Sequence, residues 1–211
     1  MIEPVRRLLP PSIVTQAPRL LWRVHSARQR AAQFYPGGQG GARFSPIKTA
    51  DGRPVPTLYL ASTLDGALME SVFRDVPAPP DDYILDLQRL VDAQLVASCV
   101  RVTRRLRLVD LTSKGLKRLG FTRNQIIDTS VLEYARTRAL AEHLHHTTTA
   151  QGLCWTSKQD DAARAFLLFG DRLPSATFEV IEDGVPLLEA PQRQTVMRLA
   201  VRIGITRIYQ E

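Results

Sequence analysis

Apolar and polar side chains alternate at Leu21-Trp22-Arg23-Val24-His25 and again at Thr57-Leu58-Tyr59-Leu60-Ala61, the two-residue period of strands. In the second segment Leu58 and Leu60 share one face and Tyr59 takes the other. Ser62-Thr63 then supplies N-cap residues, with Asp65 in the first turn of a helix. Leu64, Leu68, Ser71 and Val72 form the apolar stripe of that helix, which leaves Glu70 off the stripe and free to face a cleft. Tyr83 to Leu87, Leu95 to Val102 and Leu106 to Leu111 read as three more strands, after a break from Pro77 to Asp82. Thr112 to Leu119 reads as a short helix or turn.

The longest helix is predicted to start at Thr122, where Gln125 completes a capping-box spacing. It would run with Ile127, Val131, Tyr134, Ala141 and Leu144 along one face and end near the histidines. Gly152 to Thr156, Ala165 to Phe169 and Ala176 to Glu182 read as strands, the last stopped by a turn at Asp183-Gly184. A terminal helix is predicted over Gln192 to Ile203, with Gly204 at the C-cap position. Pro10, Pro11 and Pro18 forbid a continuous helix near the start, so residues 1–20 read as an arm before an ordered domain at 21–211.

With 211 residues, 44% of them hydrophobic and 23% charged, the composition excludes disorder over most of the chain and favours one elaborated domain over two small ones. The excess of 28 Lys and Arg over 21 Asp and Glu, a net charge of +7, favours anionic ligands or acidic partners. Cys99 and Cys154 sit in apolar runs with no second Cys at ligand spacing and read as small buried hydrophobes. The absence of a signal-like core or a long apolar span gives a cytoplasmic expectation.

Gly37-Gly38-Gln39-Gly40-Gly41 is a loop that fits neither a Walker motif nor a dinucleotide fingerprint. It leads into Arg43, a guanidinium able to grip a phosphate. His143, His145 and His146 suit a cap on the negative end of the long helix, and no Cys or carboxylate cluster completes a metal site around them. The basic run from Arg101 to Arg123 reads as a solvated face able to meet phosphates or an acidic protein. Interleaved aromatics and a nucleic-acid-binding signature are lacking.

Trp22-Arg23-Val24-His25, Gly40-Gly41-Ala42-Arg43-Phe44-Ser45-Pro46, Thr57 to Ala61 running into Ala67-Leu68-Met69-Glu70, and Gly152 to Ser157 before Phe166-Leu167-Leu168-Phe169 together resemble the RES-domain family. The resemblance spans roughly Trp22 to Gly170. Ala42, Phe44 and Ser45 depart from the Gly-Gly-Arg-Trp-Asn usual in that family. It implies an α+β fold in a single compact domain similar to ADP-ribosyltransferases, with mixed β-sheets and flanking helices. The implied function is that of a toxin of a bacterial toxin–antitoxin pair that cleaves the nicotinamide–ribose bond of NAD. NAD would be a substrate and not a cofactor, no metal would be needed, and the partner would be an Xre-like antitoxin, for which Arg101 to Arg123 is a candidate surface. The implied catalytic residues are Glu70, Arg43, Tyr59 and Ser157, with Arg23, Arg43, Tyr59 and Ser157 binding substrate. Ser113, Ser130 and Thr156 are the other hydroxyls available for the serine role. An ADP-ribosyltransferase acting on a protein, or a basic nucleic-acid or partner-binding module without catalysis, are the alternatives.

Overall fold

Ten strands and six α-helices lie among the described residues of the computed structural model, which are 11–16, 19–80 and 83–209. The strands are β1 (Ile13–Gln16), β2 (Leu20–Ser26), β3 (Thr57–Ala61), β4 (Ile84–Asp86), β5 (Leu95–Val102), β6 (Leu106–Asp110), β7 (Gly152–Thr156), β8 (Arg164–Phe169), β9 (Phe178–Pro186) and β10 (Arg207–Tyr209). The helices are α1 (Leu64–Met69), α2 (Gln88–Asp92), α3 (Ser113–Arg118), α4 (Arg123–Ile126), α5 (Tyr134–Thr147) and α6 (Gln192–Arg202). Eight strands form one mixed sheet in the order β1-β6-β7-β8-β3-β2-β5-β9, in which only β6 and β7 run parallel. β4 and β10 form a separate parallel pair. The expected α+β class is the observed one.

The sheet has to curl. β5 and β6 stand five strands apart, about 24 Å on a flat sheet at ~4.8 Å per strand. Yet only residues 103–105 join them, and the four steps from Val102 to Leu106 reach at most about 14 Å. Inside the curl lie Leu21, Leu58, Leu60, Val100, Leu106, Leu108, Phe166 and Leu168, one buried cluster. The other face is covered twice. Near β6, β7 and β8, helices α3, α4 and α5 bring Leu116, Ile126, Ala141 and Leu144 onto Val109, Leu153 and Leu167. Near β2 and β5, helices α1 and α6 bring Leu68, Val196 and Leu199 onto Val24 and Ala97. β3 passes between these two helical layers.

Several expectations are corrected. The helix predicted from Thr122 is three pieces: α4, a 3-10 turn at Val131–Glu133, and α5. The Thr122–Gln125 capping box is present, but a second box at Ser130 and Glu133 restarts the chain in a new direction. β9 does not stop at Asp183-Gly184; Gly184 adopts φ +68 inside the strand, and irregular pairing with β5 absorbs it. α2 and β10 were not anticipated. Within the arm expected over residues 1–20, Ile13–Gln16 pairs antiparallel with β6, and residues 1–10, 17 and 18 lie outside those described. His145 is buried against Asp171 instead of capping at the surface, whereas His143 and His146 are exposed. Cys99 and Cys154 are buried free thiols, as expected, and burial pushes the Cys154 thiol up to about 12. No helix among the described residues is long and apolar enough to cross a membrane.

Candidate active site

Tyr59 lies on the helical side of β3, opposite Leu58 and Leu60. Its ring meets Trp155 edge-on, with centroids 6.4 Å apart. The phenol oxygen accepts the Phe44 N–H at 3.0 Å and the Ser45 hydroxyl at 3.4 Å, so its own hydrogen remains a donor. Burial pushes this hydroxyl up to about 12 and keeps it protonated.

Glu70 is the residue on which α1 ends. Thr63 caps the start of that helix by accepting the Gly66 N–H at 3.0 Å, and the Glu70 N–H closes its last turn onto Gly66 O. The Glu70 carboxylate then reaches the far end of β7. Its Oε1 accepts the Ser157 hydroxyl at 2.5 Å and the Lys158 N–H at 3.0 Å. Oε2 has no hydrogen-bond partner among the described residues. Ser157 is buried, at 1% exposure, and its Oγ also accepts the Gln159 and Asp160 N–H groups. That arrangement leaves the hydroxyl no donor but the one aimed at Glu70.

Arg43 arrives from the loop before β3. One of its Nη atoms donates to Ile126 O at 3.3 Å and to Thr129 Oγ1 at 3.1 Å, and its guanidinium lies over the Tyr134 ring, 5.0 Å from the centroid. Thr137 donates to the Arg43 carbonyl and holds the backbone there. Thr129 connects the two halves of the site: its carbonyl accepts the Lys158 ammonium at 3.3 Å while its hydroxyl serves Arg43. A continuous chain of contacts therefore runs from Glu70 through Lys158 and Thr129 to Arg43. Behind it, Arg123 donates to the carbonyls of Thr156 and Ser157 and pairs with Asp128, tying α4 to the end of β7.

The family model for the RES domain matches residues 20–190, most of the chain and all of the residues just described. The chain belongs to the RES-domain family. Among solved structures, this RES domain is similar to a chain of the M. tuberculosis MbcT–MbcA toxin–antitoxin complex, with a TM-score of 0.60 and 17% identity over 82% of this chain and 88% of that one. At that identity the likeness is one of fold. No curated protein matches the chain.

The fold of the RES domain brings Arg43, Tyr59, Glu70 and Ser157 into one network and leaves Arg23 out of it. Arg23 shares its strand face with Leu21, inside the curl, whereas Tyr59 projects from the other face. Its guanidinium donates to the carbonyls of Arg30, Ala31 and Gln33 at 3.0–3.3 Å and to Gln29 Oε1 at 3.0 Å. Burial pulls its pKa down to about 10. Arg23, expected as an anion clamp, instead clamps the 29–33 turn. Ser157, expected to donate to a ligand, donates to Glu70.

Sequence reasoning missed four residues of the RES domain site: Arg74, Thr129, Tyr134 and Lys158. The Arg74 guanidinium is held above its usual value first by its hydrogen bond to Asp75, and the charges of Asp75 and Glu70 act in the same direction. Lys158 follows Ser157 directly and Arg74 comes four residues after Glu70, so proximity in sequence was a usable signal for both. Thr129 and Tyr134 had none, because they reach the site only through the break between α4 and α5. Among the described residues no group of His, Cys, Asp and Glu side chains is arranged to hold a metal.

Proposed function

We propose that this RES domain is the toxin of a toxin–antitoxin pair and degrades NAD by cleaving its nicotinamide–ribose bond. The observation that carries the reading is the Glu70 carboxylate, fixed through one oxygen by Ser157 and the Lys158 N–H and open at the other, near Arg74 and linked to Arg43 through Lys158 and Thr129. Cleavage sends the bonding electron pair to the nicotinamide nitrogen, which leaves neutral, and positive charge develops on the ribose. Glu70 Oε2 would face that charge and accept a ribose hydroxyl. Arg43 and Lys158, with Arg74, would hold the diphosphate, the fork of Arg43 matching two phosphate oxygens. Tyr59, protonated, would stack or donate beside the nicotinamide ribose. Water or phosphate then adds to the ribose carbon and gives its proton to solvent. In this reading NAD is a substrate and side chains carry the chemistry.

The likeness to a chain of a toxin–antitoxin complex supports the toxin role and a partner protein. An Xre-like antitoxin that covers the cleft would protect the host cytoplasm from NAD depletion. The test is incubation of the purified chain with NAD, followed by analysis for nicotinamide, ADP-ribose and ADP-ribose phosphate. We expect nicotinamide in equal amount with ADP-ribose or its phosphate, and Glu70→Gln should lower the rate at least ~100-fold. NAD that stays intact overturns the reading, and ADP-ribose recovered on a protein assigns the same site to a transferase.

A further inference from the structure

The basic run from Arg101 to Arg123 does not form one face. Arg101 pairs with Glu179 at 2.7 Å and Arg123 is engaged behind the cleft, which leaves Arg104, Arg105 and Arg107 together where the curled sheet is stitched between β5 and β6. These three, with Thr148, Thr149, Gln151 and Arg172, line a groove of about 610 Å³, the Thr148 hydroxyl being turned back onto Leu144 O.

What the lining offers is almost entirely donors. Arg104 and Arg105 are exposed and make no hydrogen bond or ion pair among the described residues. Arg107 donates to Thr149 Oγ1 at 3.5 Å, which leaves the Thr149 hydroxyl hydrogen to donate. The Gln151 side-chain oxygen accepts the Arg107 N–H at 3.0 Å, so its amide NH2 points the other way as a donor. Arg172 caps the end of α5 by donating to the carbonyls of His145, Thr148 and Ala150, which removes acceptors that would repel an anion. No Asp or Glu among the described residues lines the groove.

A concavity of this size, bearing four guanidinium groups, matches a small anion with many acceptor oxygens. No aromatic side chain among the described residues lines it to stack a base. We propose that this groove binds an oligophosphate group, at a site separate from the candidate active site. Gln151 and Ser157 flank β7 at its two ends, about 20 Å apart at ~3.3 Å per residue. The two ends of α5 lie near the two sites in the same way, Tyr134 under Arg43 and Thr147 beside the groove. The proposal does not depend on the NAD reading.

The test is calorimetric titration of the full chain with sodium tripolyphosphate, with ATP, and with a poly-glutamate peptide of matched charge. We expect saturable tripolyphosphate binding that weakens at least tenfold in Arg104→Gln/Arg105→Gln, whose side chains make no hydrogen bond or ion pair among the described residues, and that persists in Arg43→Gln. ATP binding as tight as tripolyphosphate assigns the site to any terminal phosphate chain, and tighter ATP binding assigns it to a nucleotide. The proposal is overturned by unchanged affinity in the double variant, by loss of binding in Arg43→Gln, or by poly-glutamate binding as tightly as tripolyphosphate.

Discussion

Ser157 shows how a buried hydroxyl acts through its neighbour. With 1% of its surface exposed and its donor aimed at Glu70, it holds one oxygen of the carboxylate in place. Ser157→Ala should therefore lower kcat for NAD cleavage at least ~10-fold with little change in KM, and leaving two N–H groups unanswered should cost about 1–3 kcal/mol of stability. A raised KM with unchanged kcat would count against this role. Arg43→Lys keeps the charge but loses the fork and the stacking on Tyr134, so KM for NAD should rise about tenfold. Arg23→Met separates the two arginines: melting should show a loss of about 2 kcal/mol from the released 29–33 turn, while KM for NAD stays at the wild-type value.

Elements matter here chiefly through where they stop. α1 ends on Glu70, β7 ends one residue before Ser157, and α5 begins on Tyr134. An unbroken helix from Thr122 would carry Thr129 past the cleft; the Ser130–Glu133 box ends that direction and leaves Thr129 between Lys158 and Arg43. β7 in turn depends on close contact with β8. A Cβ on Gly152 would lie 2.2 Å from the Leu167 carbonyl oxygen, a backbone atom that cannot step aside without moving the strand. Gly152→Ala should thus cost about 1–3 kcal/mol and reduce activity as well, because Ser157 hangs from the other end of the same strand. A melting curve and an NAD assay on one preparation check both.

The whole molecule carries two imidazoles that folding makes harder to protonate. Burial is the first cause of the lowered pKa of both His25 and His145; the charge of Arg23 adds to it at His25, and the bond to Asp171 partly offsets it at His145. His25 bonds to Ser26 O, which works against the shift, and to the Ser98 hydroxyl. The unfolded chain takes up protons at these residues below about pH 6.5 and the folded one resists. Stability is thus full above that pH and declines as pH falls through the window beneath it. Denaturant unfolding at pH 7.5 and 5.5 should show the midpoint dropping at the lower pH, and His25→Gln should shrink the difference. A midpoint that rises at pH 5.5 would contradict the assignment.

The positions of β2 through β8, the start of α1 and the terminal helix were legible from the chain, because strand alternation and helix caps act over a few residues, and Arg43, Tyr59, Glu70 and Ser157 could be picked out through the family resemblance; the stripe read on through Ser71 and Val72 overran α1, which ends at Met69. The break before α5, the bulged course of β9, the added β1 and β10, the inward turn of Arg23 and the recruitment of Thr129 and Tyr134 were not. Each depends on which distant segments the curled sheet sets side by side, and strand order is decided by packing two helical layers against one face, an energy shared over the whole molecule and written in no local pattern.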